Sequence, residues 1–409
     1  MRLSRSDSWL AVDNCSIGVI IGAIIGTNFV ESELERLKEA GLYRKLRRVE
    51  GDQGPTLVLG GRVVINFSSN NYLGLANHPA LGVAAKSAID RYGCGTGASR
   101  LISGNMTLHE ELERKIAEFK GTEAALVFNS GFQANSGVIS TLVGEGDTVF
   151  SDALNHASIV DGCRLSRAKA AVYAHLDMNH LEAELKRSSS ARRKLIVTES
   201  LFSMDGDEAP LADIVGLAER HGAMVMVDEA HATGVYEPNG AGLIAKLGFG
   251  DRVLVQMGTL GKALGGFGAY VAGSKALREL FINRCRSFIF TTSLPPAVMA
   301  MAIAAIDLVG KEPGRRKTLA DNSKRLRAGL RGLGYLLGDS GRQILPLMVG
   351  DANRCMDLSQ RLLERGVFAH GIRPPTVPLG TSRLRITLMA THTAEQIKRA
   401  LETFREVQD

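Results

Sequence analysis

The chain has 409 residues, 45% hydrophobic and 22% charged, with 49 Lys and Arg against 43 Asp and Glu for a formal net charge of +6. That length exceeds one small core and implies two or three domains of ordinary globular composition. The mild charge, with no dense Lys/Arg run, argues against a nucleic-acid partner, and five scattered cysteines without a C-x-x-C pair indicate neither a zinc site nor a disulfide framework.

In chain order, the apolar stretch SIGVIIGAIIG (Ser16 to Gly26) follows Arg2 and Arg5. It has roughly half the length that a bilayer span needs. Asp7 and Asp13 interrupt the basic lead, and no small-residue cleavage site follows. Residues 1–30 are therefore expected to be a packed or disordered extension, with no membrane partner and a reducing cytoplasm as the compartment. Residues 31–75 read as an amphipathic helix, ESELERLKEAGLYRKLRR (Glu31 to Arg48), and a hairpin, PTLVLGGRVVINFSS, turning at Gly60-Gly61.

Residues 76–310 alternate apolar, β-branched runs with helical segments. The seven runs AALVFNS, DTVFSD, AAVYAH, KLIVTES, AMVMVDEA, RVLVQMG and GAYVAGS predict an α/β domain around a mainly parallel seven-stranded sheet buried on both faces. Ligands of such sheets gather at the carboxyl edge. The charged, Pro/Gly-containing stretch GKEPGRRKTLADN then marks a boundary, and residues 311–409 read as a smaller α+β domain.

Several residues fall at that edge. In AMVMVDEAHATG, Asp228 ends a buried strand and His231 follows three residues later. The pair serves either as a helix cap with a loop histidine or as a carboxylate and imidazole aimed at a ligand. MGTLGKALGGFGAY places Lys262 among five glycines after the next strand. A phosphate-binding loop fails on spacing, because Ala263 stands where the metal-binding hydroxyl belongs. A solvated lysine or a Schiff-base lysine remains, the glycines keeping the approach to its amine open. Pyridoxal phosphate (PLP) chemistry needs such a lysine together with an acid for the pyridine nitrogen, and Asp228 is the candidate.

Other segments could complete the set. Ser130-Gly131-Phe132 runs from a strand into a helix start, whose amides suit a phosphate or simply a turn. His156 follows a strand in DALNHASIVDG and suits stacking on a flat ring, or a structural loop role. Ser203 in TESLFSMDGDEAPL offers a hydroxyl for a phenolic oxygen, or a cap. Arg383 and Arg385 of SRLRITL share one strand face, either solvated or forming a guanidinium fork for a carboxylate.

Nine segments in order carry a resemblance: FSSNNYLGL, GTGASRLISGN, SGFQAN, NHASIVDG, TESLFSMDGD, VDEAHATG, GTLGKALGGFGAYVAGS, FTTSLPPA and IRPPTVPLGTSRLRITL. From about Glu31 onward the chain resembles the α-oxoamine synthases, which are PLP-dependent transferases of fold type I, the aspartate-aminotransferase-like fold. The resemblance implies Lys262 as the Schiff-base lysine and base at Cα, and Asp228 as partner of the pyridinium nitrogen. It places His231 and Ser203 by the phenolic oxygen and His156 on the ring. It gives the phosphate to the Gly131 and Phe132 amides with Thr259, and to Thr292 or Ser293 from the second subunit of a homodimer. It implies Arg385 at the amino-acid carboxylate with Asn70 nearby, and Arg47 at the acyl carboxylate.

Within the family, IRPPTVP together with FGAYVAGS is similar to the branch that condenses L-alanine with pimeloyl-CoA or pimeloyl carrier protein. Sister enzymes take glycine, or serine with a palmitoyl thioester, and an aminotransferase would release no thiol. Residues 1–30 match no part of the family pattern. Cys94 in YGCGTG stands where a small residue is expected and is read as tolerated.

Overall fold

The structure is a computed structural model that describes residues 28–236 and 238–408. The apolar stretch Ser16 to Gly26 lies outside the described residues. The chain divides into two compact units, 1–48 and 49–409. In the first, residues 28–39 are helical. That helix ends short of the expected Arg48, because Gly41 turns left-handed at φ +66° and residues 42–48 carry no helix. Arg47 therefore lies beyond the helix rather than on it.

In the second unit, Thr56–Leu59 and Arg62–Asn66 form the expected antiparallel hairpin. Its turn glycines, Gly60 and Gly61, have φ of +57° and +76°, as a type I′ turn requires. Val367–Phe368 joins the hairpin sheet beside Ile65 and Asn66, so the N-terminal hairpin and the C-terminal region share one sheet.

All seven apolar runs form one sheet. Its order is Ala124–Phe128, Ala269–Gly273, Val255–Thr259, Met224–Asp228, Lys194–Glu199, Thr148–Asp152 and Lys169–Tyr173. Only Ala269–Gly273 runs antiparallel to its neighbours. Alternate side chains feed two cores, one on each face: Val225 and Val227 enter the first, Met226 the second. This two-sided burial explains why the strands are continuous apolar runs without polar alternation.

Helices follow strands with side-chain caps at their starts. Ser130 accepts from the Gln133 amide before Gly131–Leu142, and His156 caps Ala157–Ser166. These caps fix where each strand-to-helix loop ends, and so where the residues at the carboxyl edge stand. The C-terminal part carries a third sheet, antiparallel, of Ile344–Gly350, Ser382–Thr387 and His370–Ile372, with helices Ala352–Glu364 and Ala394–Glu406. Among the described residues no helix is long and apolar enough to cross a membrane.

Candidate active site

Asp228 and Glu199 are the last residues of adjacent parallel strands and pair in register. The Asp228 carboxylate is buried, with Oδ1 accepting from the Ala230 amide at 2.8 Å and Oδ2 from Asn135 Nδ2 at 2.8 Å. The same Asn135 amide donates to Ser158 Oγ at 2.9 Å, and Ser158 Oγ lies 2.8 Å from His156 Nδ1. A hydrogen-bonded chain thus links Asp228 to the imidazole of His156. Burial lowers the basicity of His156, against the pull of Asp228.

Lys262 points its amine at His231, with Nζ 2.8 Å from Nε2. His231 Nδ1 lies 2.7 Å from Tyr72 OH, which donates to Asn70 Oδ1 at 3.1 Å and accepts from Arg385 Nη2 at 3.3 Å. Because Tyr72 spends its one proton on Asn70, the network assigns the His231 proton to Nδ1 and leaves Nε2 as acceptor for the lysine. Burial, then the charges of Lys262 and Arg385, hold His231 well below its ordinary pKa, consistent with a neutral ring. Burial also pushes Lys262 down to about 8, against the opposing pull of Asp228 and Glu199. An amine so poised is a free nucleophile in roughly a tenth of molecules at pH 7, far more often than an ordinary lysine.

Arg385 is buried on strand Ser382–Thr387, with Nε donating to the Ser203 carbonyl at 2.5 Å. Arg383, two residues earlier on the same strand, is paired with Asp205 and donates to the Thr381 carbonyl. The two guanidiniums do not form a fork: Arg383 is satisfied by a carboxylate, whereas Arg385 faces the Tyr72–His231 network. The structure thus brings Lys262, Asp228, His231, His156, Ser203, Asn70 and Arg385 into one hydrogen-bonded neighbourhood.

The residues expected at a phosphate also converge. Gly131 opens its helix beside Thr259, and a Cβ there would come within 3.0 Å of Met257 Cε and Thr259 Cγ2. Thr259 Oγ1 is buried and has no hydrogen-bond partner among the described residues. First-turn amides of Gly131 and Phe132 lack intrahelical acceptors, and Phe132 is half exposed, at 48%. A free buried hydroxyl beside helix-start amides fits a phosphate.

Thr292 and Ser293 separate. Ser293 is buried and donates to the carbonyls of Ala98 and Gly104, whereas the Thr292 side chain is exposed. Ser293 is thus occupied within its own chain. Arg47 is exposed and belongs to the N-terminal unit.

Sequence reasoning missed Tyr72, Asn135, Ser158 and Glu199. Glu199 carries the signal that exposed Asp228, an acid ending a buried apolar run (KLIVTE beside VMVD). Tyr72 and Asn135 sit inside quoted motifs, but only the tertiary contacts single them out.

The family described as aminotransferase class I and II matches residues 62–404, and the chain belongs to that family of PLP-dependent enzymes. Within it, the chain is similar to 8-amino-7-oxononanoate synthase of Geobacter sulfurreducens, at 56% identity over 377 residues, 92% of this chain and 96% of that one. A structure of serine palmitoyltransferase from S. paucimobilis with a bound PLP–myriocin aldimine superposes with a TM-score of 0.88. It is 35% identical and covers 94% of this chain and 97% of its own. An 8-amino-7-oxononanoate synthase from Francisella tularensis gives 0.72 at 29% identity, over 84% of this chain and 97% of its own.

These matches bear out the expected fold type I architecture and PLP as cofactor, and define the chain as an acyltransferase-type PLP enzyme. The residues present fit that cofactor: an amine of lowered basicity, a buried carboxylate at a strand end and an unpartnered hydroxyl beside helix-start amides.

Proposed function

We propose that this chain condenses L-alanine with a pimeloyl thioester, of CoA or of a carrier protein, releasing carbon dioxide, free thiol and 8-amino-7-oxononanoate in biotin biosynthesis. One observation carries the reading. The Lys262 amine is linked through His231 and Tyr72 to the Arg385 guanidinium, and the Asp228 carboxylate acts on its charge, in a chain 56% identical to a synthase of that name over nearly its whole length.

When bound, PLP supplies an electron sink for negative charge at the amino-acid Cα. Asp228 would face the ring nitrogen and keep it protonated, with Asn135 and the Ala230 amide fixing its two oxygens. Lys262 takes the Cα proton and later returns it. His231 and Ser203 would stand by the phenolic oxygen, His231 also holding the lysine amine through Nε2. His156 would cover the ring. Gly131, Phe132 and Thr259 would hold the phosphate, joined in a homodimer by Thr292 of the partner subunit. Arg385 binds the alanine carboxylate, aided by Asn70, and holds it until it leaves as carbon dioxide. Arg47 contacts the distal carboxylate of the pimeloyl chain. The enzyme acts in the cytoplasm.

The TM-score of 0.88 to serine palmitoyltransferase favours a second reading, a sister condensation of serine or glycine with another acyl thioester. Thiol release from PLP-loaded protein separates the two. Alanine, glycine and serine are each offered with acyl-CoAs of several lengths, and product masses are recorded. Release with alanine and pimeloyl-CoA, with the mass of the decarboxylated amino-ketone, supports the first reading. Release only with serine and palmitoyl-CoA replaces it with the second.

A further inference from the structure

Glu199 holds a buried carboxyl at the end of strand Lys194–Glu199. Its Oε1 accepts the His156 backbone amide at 2.7 Å. The two residues belong to different elements. His156 starts the helix that follows strand Thr148–Asp152, whereas Glu199 ends the neighbouring strand that leads to Ser203. The bracing is doubled through the backbone, because the Glu199 amide donates to Asn155 Oδ1 at 3.2 Å and Asn155 Nδ2 donates to the Val197 carbonyl at 2.8 Å.

We propose that Glu199 is a positioning residue whose carboxyl ties the end of its own strand, which leads to Ser203, to the loop carrying His156 and so sets the spacing of these two residues for the PLP ring. The proposal rests on the roles given above to His156 and Ser203. A backbone donor on the neighbouring loop needs an acceptor at a fixed reach, and the Glu199 carboxyl oxygen provides it. The placement is costly. Burial, then the adjacent Asp228, push Glu199 up to about 8, with the Lys262 amine and the backbone donors of His156 and Ser203 opposing. A side chain serving only to fill space would avoid that cost by being apolar.

Two variants of the holoenzyme separate reach from charge. Glu199→Gln keeps the length and a carbonyl acceptor but cannot ionise, whereas Glu199→Asp keeps the carboxyl and loses one methylene of reach. PLP release after dilution is followed by the decay of its visible band, with the melting temperature of the cofactor-free protein as a folding control. We expect Glu199→Asp to release PLP about tenfold faster or more and Glu199→Gln to stay within about threefold of the parent, at similar melting temperatures. The reverse order would assign Glu199 an electrostatic role and overturn the proposal. Equal release by both variants, whether fast or slow, would overturn it as well. The readout needs no acyl substrate, so it stands apart from the choice of reaction. Failure of the parent protein to bind PLP at all would instead sink the functional reading.

Discussion

Lys262 and His231 share a 2.8 Å contact in which the imidazole is the acceptor and the amine the donor. The arrangement is sustained from behind, since Tyr72 takes the Nδ1 proton and passes its own to Asn70. A neutral ring beside a lysine of lowered basicity leaves the amine able to lose its proton without leaving its place. Four residues from three separated stretches of chain therefore set the protonation of one nitrogen.

Replacing Lys262 with Ala removes both the carbonyl-capturing amine and the base at Cα. Thiol release from alanine and pimeloyl-CoA should fall at least about a thousandfold, while far-UV circular dichroism stays that of the parent. Full activity in this variant would refute the assignment.

The lowered basicity of Lys262 also predicts how cofactor-free protein takes up PLP. Only the neutral amine attacks the aldehyde, so the second-order rate of uptake should rise with pH and reach half its plateau near pH 8. Stopped-flow absorbance at the visible band measures it. A midpoint above 10 would mean that burial does not lower this amine.

Arg385→Lys keeps a positive charge but loses the planar donor set that serves Ser203 and Tyr72 together. The KM for alanine should rise about 10- to 100-fold with a smaller change in kcat, because a carboxylate loses its paired donors. Steady-state thiol release at varied alanine checks this, and an unchanged KM would place the carboxylate elsewhere.

Much of the fold was legible because its strands are buried on both faces. Continuous runs such as LIVTE and VMVD admit few other readings, and all seven appear as strands. Asp228 and Lys262 could be found because each follows such a run. What escaped was the support. Asn135 acts on Asp228 across 93 positions of sequence, and Tyr72 meets His231 across 159. No local pattern encodes such pairings. The helix expected to reach Arg48 failed for a local reason, since Gly41 breaks a charge pattern that otherwise continues. Ser293 looked as available as Thr292 until its hydroxyl was found on Ala98 and Gly104.

Lys120 and Glu229 form an ion pair with both side chains fully buried, and Glu229 also accepts the Ile244 amide at 3.0 Å. This pair ties the helix Thr107–Lys120 to the residue directly after Asp228. Lys120→Met strands the carboxylate in a dry interior and should cost about 3–5 kcal/mol of stability. Lys120→Met combined with Glu229→Leu should recover part of that loss, because no charge is left unpaired. Urea denaturation of the single and double variants tests it, and a double variant weaker than the sum of the two singles would contradict the account.

His175 bridges Asp152 at 2.7 Å and Asp207 at 2.9 Å, tying the end of a central strand to the turn that follows Ser203. Burial opposes its charge, but the hydrogen bonds and charges of both carboxylates outweigh it and push the imidazolium up to about 10. A pKa raised in the folded state stabilises fully below the ordinary value of 6.5, and that contribution fades as pH climbs from there through about 10. The parent should therefore exceed His175→Gln in melting temperature most clearly near pH 6, with the gap closing toward pH 10. Melting curves of the cofactor-free proteins across that range measure the gap. A gap that stays constant would mean that the His175 bridge holds the turn by shape alone and carries no net charge.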